Sequence, residues 1–340
     1  MKNGWMVRAG EGGRLIEDFD KGFVAIGWNE LGNLNELKSK KDIAKAYKIK
    51  FPEQKPAKEA LAVSTLHKFT SIVQRGDLAV TYDPSSRNYL VGEIVGDYEF
   101  NPQTVGGYAN IRETKWLGKV SRDDLKQATK NSLGSVMTLF ALKEHVIKDL
   151  LCVLDGNTSV AGVDDASGED VEEDVEEDVE EDVSKDDVIN QSKELIKDRI
   201  NALDPEEMEE LVAALFQAMG YRARVSPKGP DRGVDVIASP DGLGLKEPRI
   251  KAEVKHRNGS MGSQAIRSFI GALRPGDRGV YVSTGGFSRE ARYEAERANI
   301  PLTLVDIDEL ASLVVDFYED FDLDGKALVP LVRIYWPVDY

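Results

Sequence analysis

The chain has 340 residues, 41% of them hydrophobic, and a formal net charge of −16. Its length predicts about two domains, and no apolar run approaches the roughly 18 residues that a membrane span requires, which excludes a membrane protein of the helical kind. One cysteine, Cys152, excludes an internal disulfide and a multi-cysteine zinc site.

Three scattered histidines, His67, His145 and His256, argue against a histidine-based metal site. Any metal would have to be held by carboxylates, which points to Mg2+ or Mn2+. The start, MKNGWMVRAG, has no apolar stretch of the secretory kind, so a cytoplasmic protein is expected. The charge is segregated: residues 155–190 hold 16 acidic residues against one lysine, a net of −15, whereas residues 1–154 carry +4 and residues 191–340 carry −5. An acidic total therefore does not exclude a nucleic-acid partner.

In chain order, strand patterns fall at Trp5–Arg8, Phe23–Trp28, Asp77–Tyr82, Tyr89–Val95 and Ile111–Trp116. Apolar residues recur at helical spacing at Leu61, Leu66, Phe69, Ile72 and Val73, and again at Val136, Leu139, Phe140, Ile147 and Leu150. This predicts an α+β domain over residues 1–153. The passage GDLAVTYDPSSRNYLVGEIVGDYEF, with the opening WMVRAGEGG and the AIGW strand, resembles domains of the PUA superfamily, including the EVE and YTH-like branches. That resemblance implies a small β-barrel that reads DNA or a modified base. Trp5, Trp28, Tyr82, Tyr89 and Trp116 are the aromatics that could stack on such a base, stacking being worth about 1–3 kcal/mol per base; equally, each is a normal core residue at a strand position.

Residues 154–190 read as an acidic flexible linker. From Glu169 to Val183 the sequence repeats Glu-Glu-Asp-Val, in which like charges repel and a lone valine per repeat buries too little to offset the entropy of ordering. A solubilising spacer and a DNA-mimicking brake on the protein itself are both open readings.

Residues 191–325 form the second predicted domain. Asp204, Pro205 and Glu207 make a helix start with a capping box, followed by Met208, Leu211, Val212, Leu215 and Met219 on one apolar face, and Gly220 as the stop. Glu209 sits at the border of that face. A strand at Arg222–Ser226, a turn, and a strand at Val234–Ala238 follow, with Asp235 expected on the face opposite Val234 and Val236. In Ile250–His256, Ala252 and Val254 share one face and Lys251, Glu253 and Lys255 the other. An Asp on one strand and a Glu-x-Lys on the next bring two carboxylates and an ammonium onto one surface. Such a set can hold a hard divalent cation and stabilise the transition state of phosphodiester hydrolysis.

The runs DPEEMEELVAALFQAMGYRARVSPKGPDRGVDVIASPDG, IKAEVKHRNGSMGSQAIRSFIGAL and RGVYVSTGGFSREARYEAERANIPLTLVDIDEL, from Asp204 to Leu310, resemble the catalytic domain of Mrr-like restriction endonucleases in the PD-(D/E)xK nuclease superfamily. The resemblance implies an α/β domain with a mixed central sheet flanked by helices. It implies Asp235 and Glu253 as metal ligands, Lys255 as the catalytic lysine, Glu209 as an auxiliary contact, and Mg2+ or Mn2+ as cofactor. Many relatives carry Gln where Glu253 stands, and Val234 replaces the superfamily's proline.

Further elements are predicted at Ser263–Leu273 (helix), Gly279–Ser283 (strand), Ser288–Ala298 (helix), Pro301–Val305 (strand) and Asp308–Tyr318 (helix). Residues 211–300 carry a net charge of +6, and Arg257, Arg267, Arg289 and Arg292 are candidate contacts to DNA phosphates. Residues 326–340 read as a docking segment. The expectation is a metal-dependent endonuclease acting on double-stranded DNA that carries modified bases, in modification-dependent (type IV-like) restriction of foreign DNA, as a homodimer or higher homo-oligomer. A structure-specific or repair nuclease, and a non-catalytic DNA-binding protein on a nuclease scaffold, are the alternatives.

Overall fold

A computed structural model describes residues 2–37, 39–135, 137–156, 185–227, 233–256 and 259–335. The chain divides into two compact units, Met1–Asn190 and Gln191–Tyr340.

The N-terminal unit comprises β1 (Gly4–Val7), α1 (Ile16–Phe19), β2 (Phe23–Ile26), α2 (Lys40–Lys50), α3 (Pro56–His67), β3 (Leu78–Asp83), β4 (Asn88–Ile94), β5 (Glu99–Val105), β6 (Tyr108–Ser121), α4 (Gln127–Leu133), β7 (Leu139–Ala141) and α5 (Glu144–Leu154). The strands form a seven-stranded sheet in the order β2-β6-β4-β3-β1-β7, with β5 added to β6. Among the described residues the ladder ends at β2 and β7 rather than closing on itself. β6 is long enough to serve two sets of neighbours: its first half pairs with β2 and β5, its second with β4. The register slips at Val91/Gly92, where a Cβ on Gly92 would lie 2.7 Å from the Trp116 ring, so only glycine fits the bulge.

Side-chain alternation buries both faces of this sheet. Trp5, Val7 and Ala79 face a cluster completed by Ile43, Tyr47, Leu66 and Phe69 of the α2–α3 side. Met6, Val80, Tyr89 and Val91 face a second cluster with Leu133, Val146 and Leu150 from α4 and α5. After α3 the chain widens into a π-helical turn at Lys68–Ile72, in which the Val73 amide donates to the Lys68 carbonyl.

Two expectations need correction here. The helical spacing from Val136 to Leu150 is broken, because Leu139–Ala141 is a strand that pairs antiparallel with β1; helix begins only at Glu144 (Val136 itself lies outside the described residues). Pairing with a buried strand outweighs local periodicity there. The acidic repeat also lies outside the described residues, but Lys185–Asn190, expected to be extended linker, is already helical as the first turns of α6 (Lys185–Asn201).

The C-terminal unit continues with α7 (Pro205–Ala218), β8 (Arg222–Val225), β9 (Val236–Ser239), β10 (Arg249–Lys255), α8 (Ser263–Ala272), β11 (Asp277–Ser283), α9 (Arg289–Glu296), β12 (Leu302–Asp306), α10 (Ile307–Asp316) and α11 (Leu323–Leu328). Its five-stranded sheet has the order β12-β11-β10-β9-β8, antiparallel from β8 to β10 and parallel from β10 to β12. α7 starts on the capping box: the Asp204 carboxylate accepts from the Glu206 and Glu207 amides, and the Glu207 carboxylate accepts from the Asp204 amide. Met208, Leu211, Val212 and Leu215 are buried, each contributing about 1.5–3 kcal/mol, against Val236, Ala238, Ala252 and Val254 on one face of the sheet. The other face packs Ile237 and Tyr281 against Ile266 and Phe269 of α8 and Ala291 of α9. The sheet is thus the middle of three layers. In the C-terminal segment, Val329 is fully buried and Leu331 packs on the core, whereas Val332, Ile334 and Tyr335 are exposed. Among the described residues no helix is long and apolar enough to cross a membrane.

Candidate active site

The alternation of β10 has a direct chemical outcome. Ile250, Ala252 and Val254 turn into the core beneath α7, so Lys251, Glu253 and Lys255 emerge on the opposite face. There Lys255 Nζ lies 3.1 Å from Glu253 Oε1 and 3.5 Å from Asp235 Oδ2. Two carboxylates and one ammonium meet, half-buried, with a net charge of −1.

Asp235 reaches this face in a way the sequence does not predict. Val234 packs with Met261 and Phe269, and Val236 with the α7 side, so the two valines occupy opposite faces and simple alternation breaks just before β9. The Asp235 amide still donates to the Ala252 carbonyl, but beyond it the neighbouring strand is served by a side chain: Asp235 Oδ2 accepts from the Val254 amide at 2.7 Å. A carboxylate that completes a strand ladder is fixed in position.

Glu253 is held from two further directions. The hydroxyl of fully buried Tyr281, its register partner on β11, donates to Glu253 Oε1 at 3.3 Å. Gly233, at φ +78°, lies so close that an added Cβ would be 3.0 Å from Glu253 Oε2. Neither residue was singled out from sequence; the Val-Tyr-Val alternation of β11 was a usable signal for Tyr281. Burial pushes the Glu253 carboxyl above the usual carboxylate range, more than the Lys255 charge pulls it down. Burial pulls Lys255 down, but the charges of Glu253 and Asp235 outweigh it and leave the ammonium above its ordinary value.

This donor set fits a hard divalent cation. It is anionic and built of carboxylate oxygens. Among the described residues no group of three or more His, Cys, Asp or Glu could hold a metal, so Glu209, half-buried on α7 with interactions of its own, does not join the pair. Two carboxylates suit a cation that retains much of its water rather than one needing a closed protein cage.

The remaining predicted residues are dispersed. Arg292 pairs with Asp306 at 3.0 Å and lies over the Phe287 ring; Arg267 pairs with Glu294 at 3.4 Å. Arg289 is exposed in the first turn of α9, and Arg257 lies outside the described residues. His256 Nδ1 is 3.3 Å from Thr284 Oγ1, a local contact. The five aromatics of the N-terminal unit do not form one pocket. Trp5, 5% exposed with Nε1 donating to Asp77, joins half-buried Trp28 and Trp116 in one cluster; Tyr82 and Tyr89, in contact at a tilt of 36° with ring centres 4.7 Å apart, belong to the cluster on the other face. Alternation along β1 and β3–β4 separates them, and Trp5 and Tyr89 are core residues.

A mixed sheet between helix layers, with an Asp beside one strand and a Glu-x-Lys on the next, defines the restriction-endonuclease class of domain. Residues 200–314 match the Mrr catalytic-domain family, described as a restriction endonuclease, and so form an Mrr-type catalytic domain. Residues 8–143 match a domain of unknown function (DUF8426). The chain is 29% identical over 143 residues to the type IV methyl-directed restriction enzyme EcoKMrr of Escherichia coli (strain K12), covering 38% of this chain and 46% of the relative; it therefore spans under half of that relative's length. Among solved structures it is similar to the MspJI restriction endonuclease in complex with a 27-mer oligonucleotide (16% identity, TM-score 0.32, covering 82% of this chain and 70% of that one). It is also similar to the DNA modification-dependent restriction endonuclease AspBHI (15% identity, TM-score 0.33, covering 80% and 72%).

Proposed function

We propose that the chain is a divalent-cation-dependent DNA endonuclease of the modification-dependent, type IV-like restriction kind. The observation that carries this is the meeting of Asp235, Glu253 and Lys255 within 3.1–3.5 Å on the face of the sheet opposite α7, inside an Mrr-type domain. Asp235 and Glu253 would hold Mg2+ or Mn2+, which when bound polarises a phosphoryl oxygen and acidifies its water. The Lys255 ammonium contacts both carboxylates and offsets part of their mutual repulsion. Lys255 Nζ, held between the two carboxylates, serves as a positive charge beside the pentavalent phosphate. Tyr281 and Gly233 orient Glu253.

The N-terminal unit is read as the reader of the DNA substrate, with the PUA/EVE-like assignment as the finer form of that reading; a family model of its own, distinct from the catalytic one, supports its being a separate module. One such centre cuts one strand, so a double-strand break requires two copies of the chain on DNA.

The test is cleavage of matched plasmids carrying no modification, 5-methylcytosine, 6-methyladenine, hydroxymethylcytosine or phosphorothioate, with and without Mg2+. Cation-dependent cutting of one modified plasmid is expected. Cutting confined to unmodified branched substrates would replace this reading with a structure-specific nuclease, and no cutting of any substrate with Mg2+ or Mn2+ would overturn it.

A further inference from the structure

We propose that the N-terminal unit binds a nucleotide, through its phosphate and its polar ring edge, in a cleft built around Arg112. This rests on the reading of the chain as an enzyme acting on DNA. The cleft, of about 440 Å³, is lined by Asn35, Thr70, Gln74, Arg75, Tyr98 and Arg112, with Val73 and Asp97 completing it.

Arg112, on β6, is only 4% exposed. Its Nε donates to the Phe69 carbonyl at 2.8 Å, Nη2 to the Thr70 carbonyl at 3.2 Å and Nη1 to the Gly96 carbonyl at 3.3 Å, and its guanidinium lies 5.8 Å from the Phe69 ring centre. Among the described residues no carboxylate lies within 4 Å of it; Asp97 and Asp77 act on it only at longer range. Three neutral carbonyls satisfy three of the five guanidinium N–H groups and leave the charge without a counter-ion. A buried cation normally has a partner, because desolvating it alone costs several kcal/mol. Burial accordingly pushes the Arg112 guanidinium below its ordinary value.

The local backbone is arranged to keep Arg112 in this position. In the π-helical turn Lys68–Ile72, the Val73 amide bonds to Lys68 instead of Phe69 and the helix ends at Val73, so the Phe69 and Thr70 carbonyls are left to accept from Arg112. Insertions of this type recur at functional sites. At the rim, Arg75 makes a two-pronged pair with Asp97, at 3.0 and 2.8 Å, with both side chains well exposed. Exposed pairs contribute little and open readily, so the pair leaves the cleft's uncompensated charge at the +1 of Arg112. The exposed amides of Asn35 and Gln74 offer both donors and acceptors, as the edge of a heterocycle requires. The Tyr98 hydroxyl is committed, donating to Asn110 Oδ1 and accepting from the Leu34 amide, so its ring is a fixed wall. The volume is far larger than a lone phosphate needs and within the range of small-ligand sites.

The ligand chemistry has two sources, a nucleotide unit of DNA and a free mononucleotide. The experiment is calorimetric titration of the full chain in EDTA with deoxynucleoside 5′-monophosphates, their methylated counterparts, the corresponding deoxynucleosides, inorganic phosphate and a short methylated duplex. One monophosphate should bind more tightly than either its nucleoside or phosphate. Arg112→Gln should weaken it about 30-fold or more. The double variant Asn35→Ala/Gln74→Ala, at exposed positions that leave the fold untouched, should weaken it about 5- to 10-fold; it decides the matter if Arg112→Gln does not fold. Displacement of the monophosphate by the duplex assigns the cleft to DNA, and independent binding assigns it to a free nucleotide. Binding of no monophosphate at millimolar concentration, equal binding of phosphate alone, or binding indifferent to folded Arg112 and rim variants overturns the proposal. Plasmid cutting measured alongside with Mg2+ separates the two readings: cutting without nucleotide binding removes only the cleft, and nucleotide binding without cutting removes only the nuclease.

Discussion

The two units resolve the same electrostatic problem with opposite signs. In the N-terminal unit a guanidinium is buried among carbonyls with no carboxylate in salt-bridge range; in the C-terminal unit two carboxylates share a single ammonium. Each leaves one elementary charge uncompensated in a partly desolvated place, positive in the first and negative in the second. Charge left over in low dielectric is costly, so each site is better completed by something of opposite sign: an anion at Arg112, a cation at Asp235 and Glu253. Neither tendency follows from the net charge of −16, which resides almost wholly in residues 155–190.

The comparison breaks most visibly at Lys255. Lys255→Ala should lower the cleavage rate by about 10³-fold or more while filter binding in EDTA still registers DNA; cutting retained at near the parental rate would remove the lysine from the mechanism. Next in size is Gly233→Ala. A Cβ there requires a left-handed backbone of an alanine and presses on Glu253, so a loss of about 10- to 100-fold in cleavage is expected with little change in melting temperature or DNA binding. An unaltered rate would show that Glu253 has room to move.

A smaller effect is expected at Asp277, the C-terminal unit's compensated counterpart. This side chain is 3% exposed and takes Lys251 at 2.8 Å and the Arg274 amide at 2.8 Å. Burial raises its carboxyl, but the bonds to Lys251 and Arg274 outweigh this and hold it below the usual carboxylate range. A depressed folded-state value stabilises the fold above the unfolded-state value and is lost as pH falls through the folded one. Asp277→Asn should therefore cost about 2 kcal/mol at neutral pH in denaturant titration, and the difference from the parent should shrink in acid; a constant difference would assign the loss to packing.

The smallest effect is the pH dependence of cation binding. Because burial raises Glu253, the folded chain holds its proton more tightly than the unfolded chain does, and its contribution to stability declines as pH rises through that raised value. A divalent cation offsets this, so the rise in melting temperature on adding Mn2+ should grow with pH across that interval and be absent in Asp235→Asn. A pH-independent increment would place the cation elsewhere.

Much of the C-terminal unit was legible because its signals are local. The capping box, the apolar stripe of α7 and the alternation of β10 each depend on spacing within a few residues, and together they put Glu253 and Lys255 on one face. Asp235 was legible as a residue but not in its placement, since a carboxylate replacing a backbone acceptor depends on the adjacent strand. In the N-terminal unit the aromatics misled: Trp5 and Tyr89 look alike in a list of stacking candidates, but strands that alternate send them to opposite faces of one sheet. Arg112 was missed for the converse reason. Within Arg-Glu-Thr-Lys-Trp it reads as one charge among several on a strand, and only the π turn, whose Phe69 and Thr70 carbonyls lie 43 and 42 residues earlier and are brought alongside by folding, makes it a buried one.

The bond from the Val254 amide to Asp235 Oδ2 has one more use. A cation bound at that carboxylate would draw electron density from it, and the amide proton would feel it, so the Val254 resonance is a spectroscopic tag on the proposed metal ligand. A chemical-shift change there on adding a divalent ion would report occupancy directly, in the intact chain and without a substrate, and Asp235→Asn would keep an acceptor for the amide while removing the charge that is read.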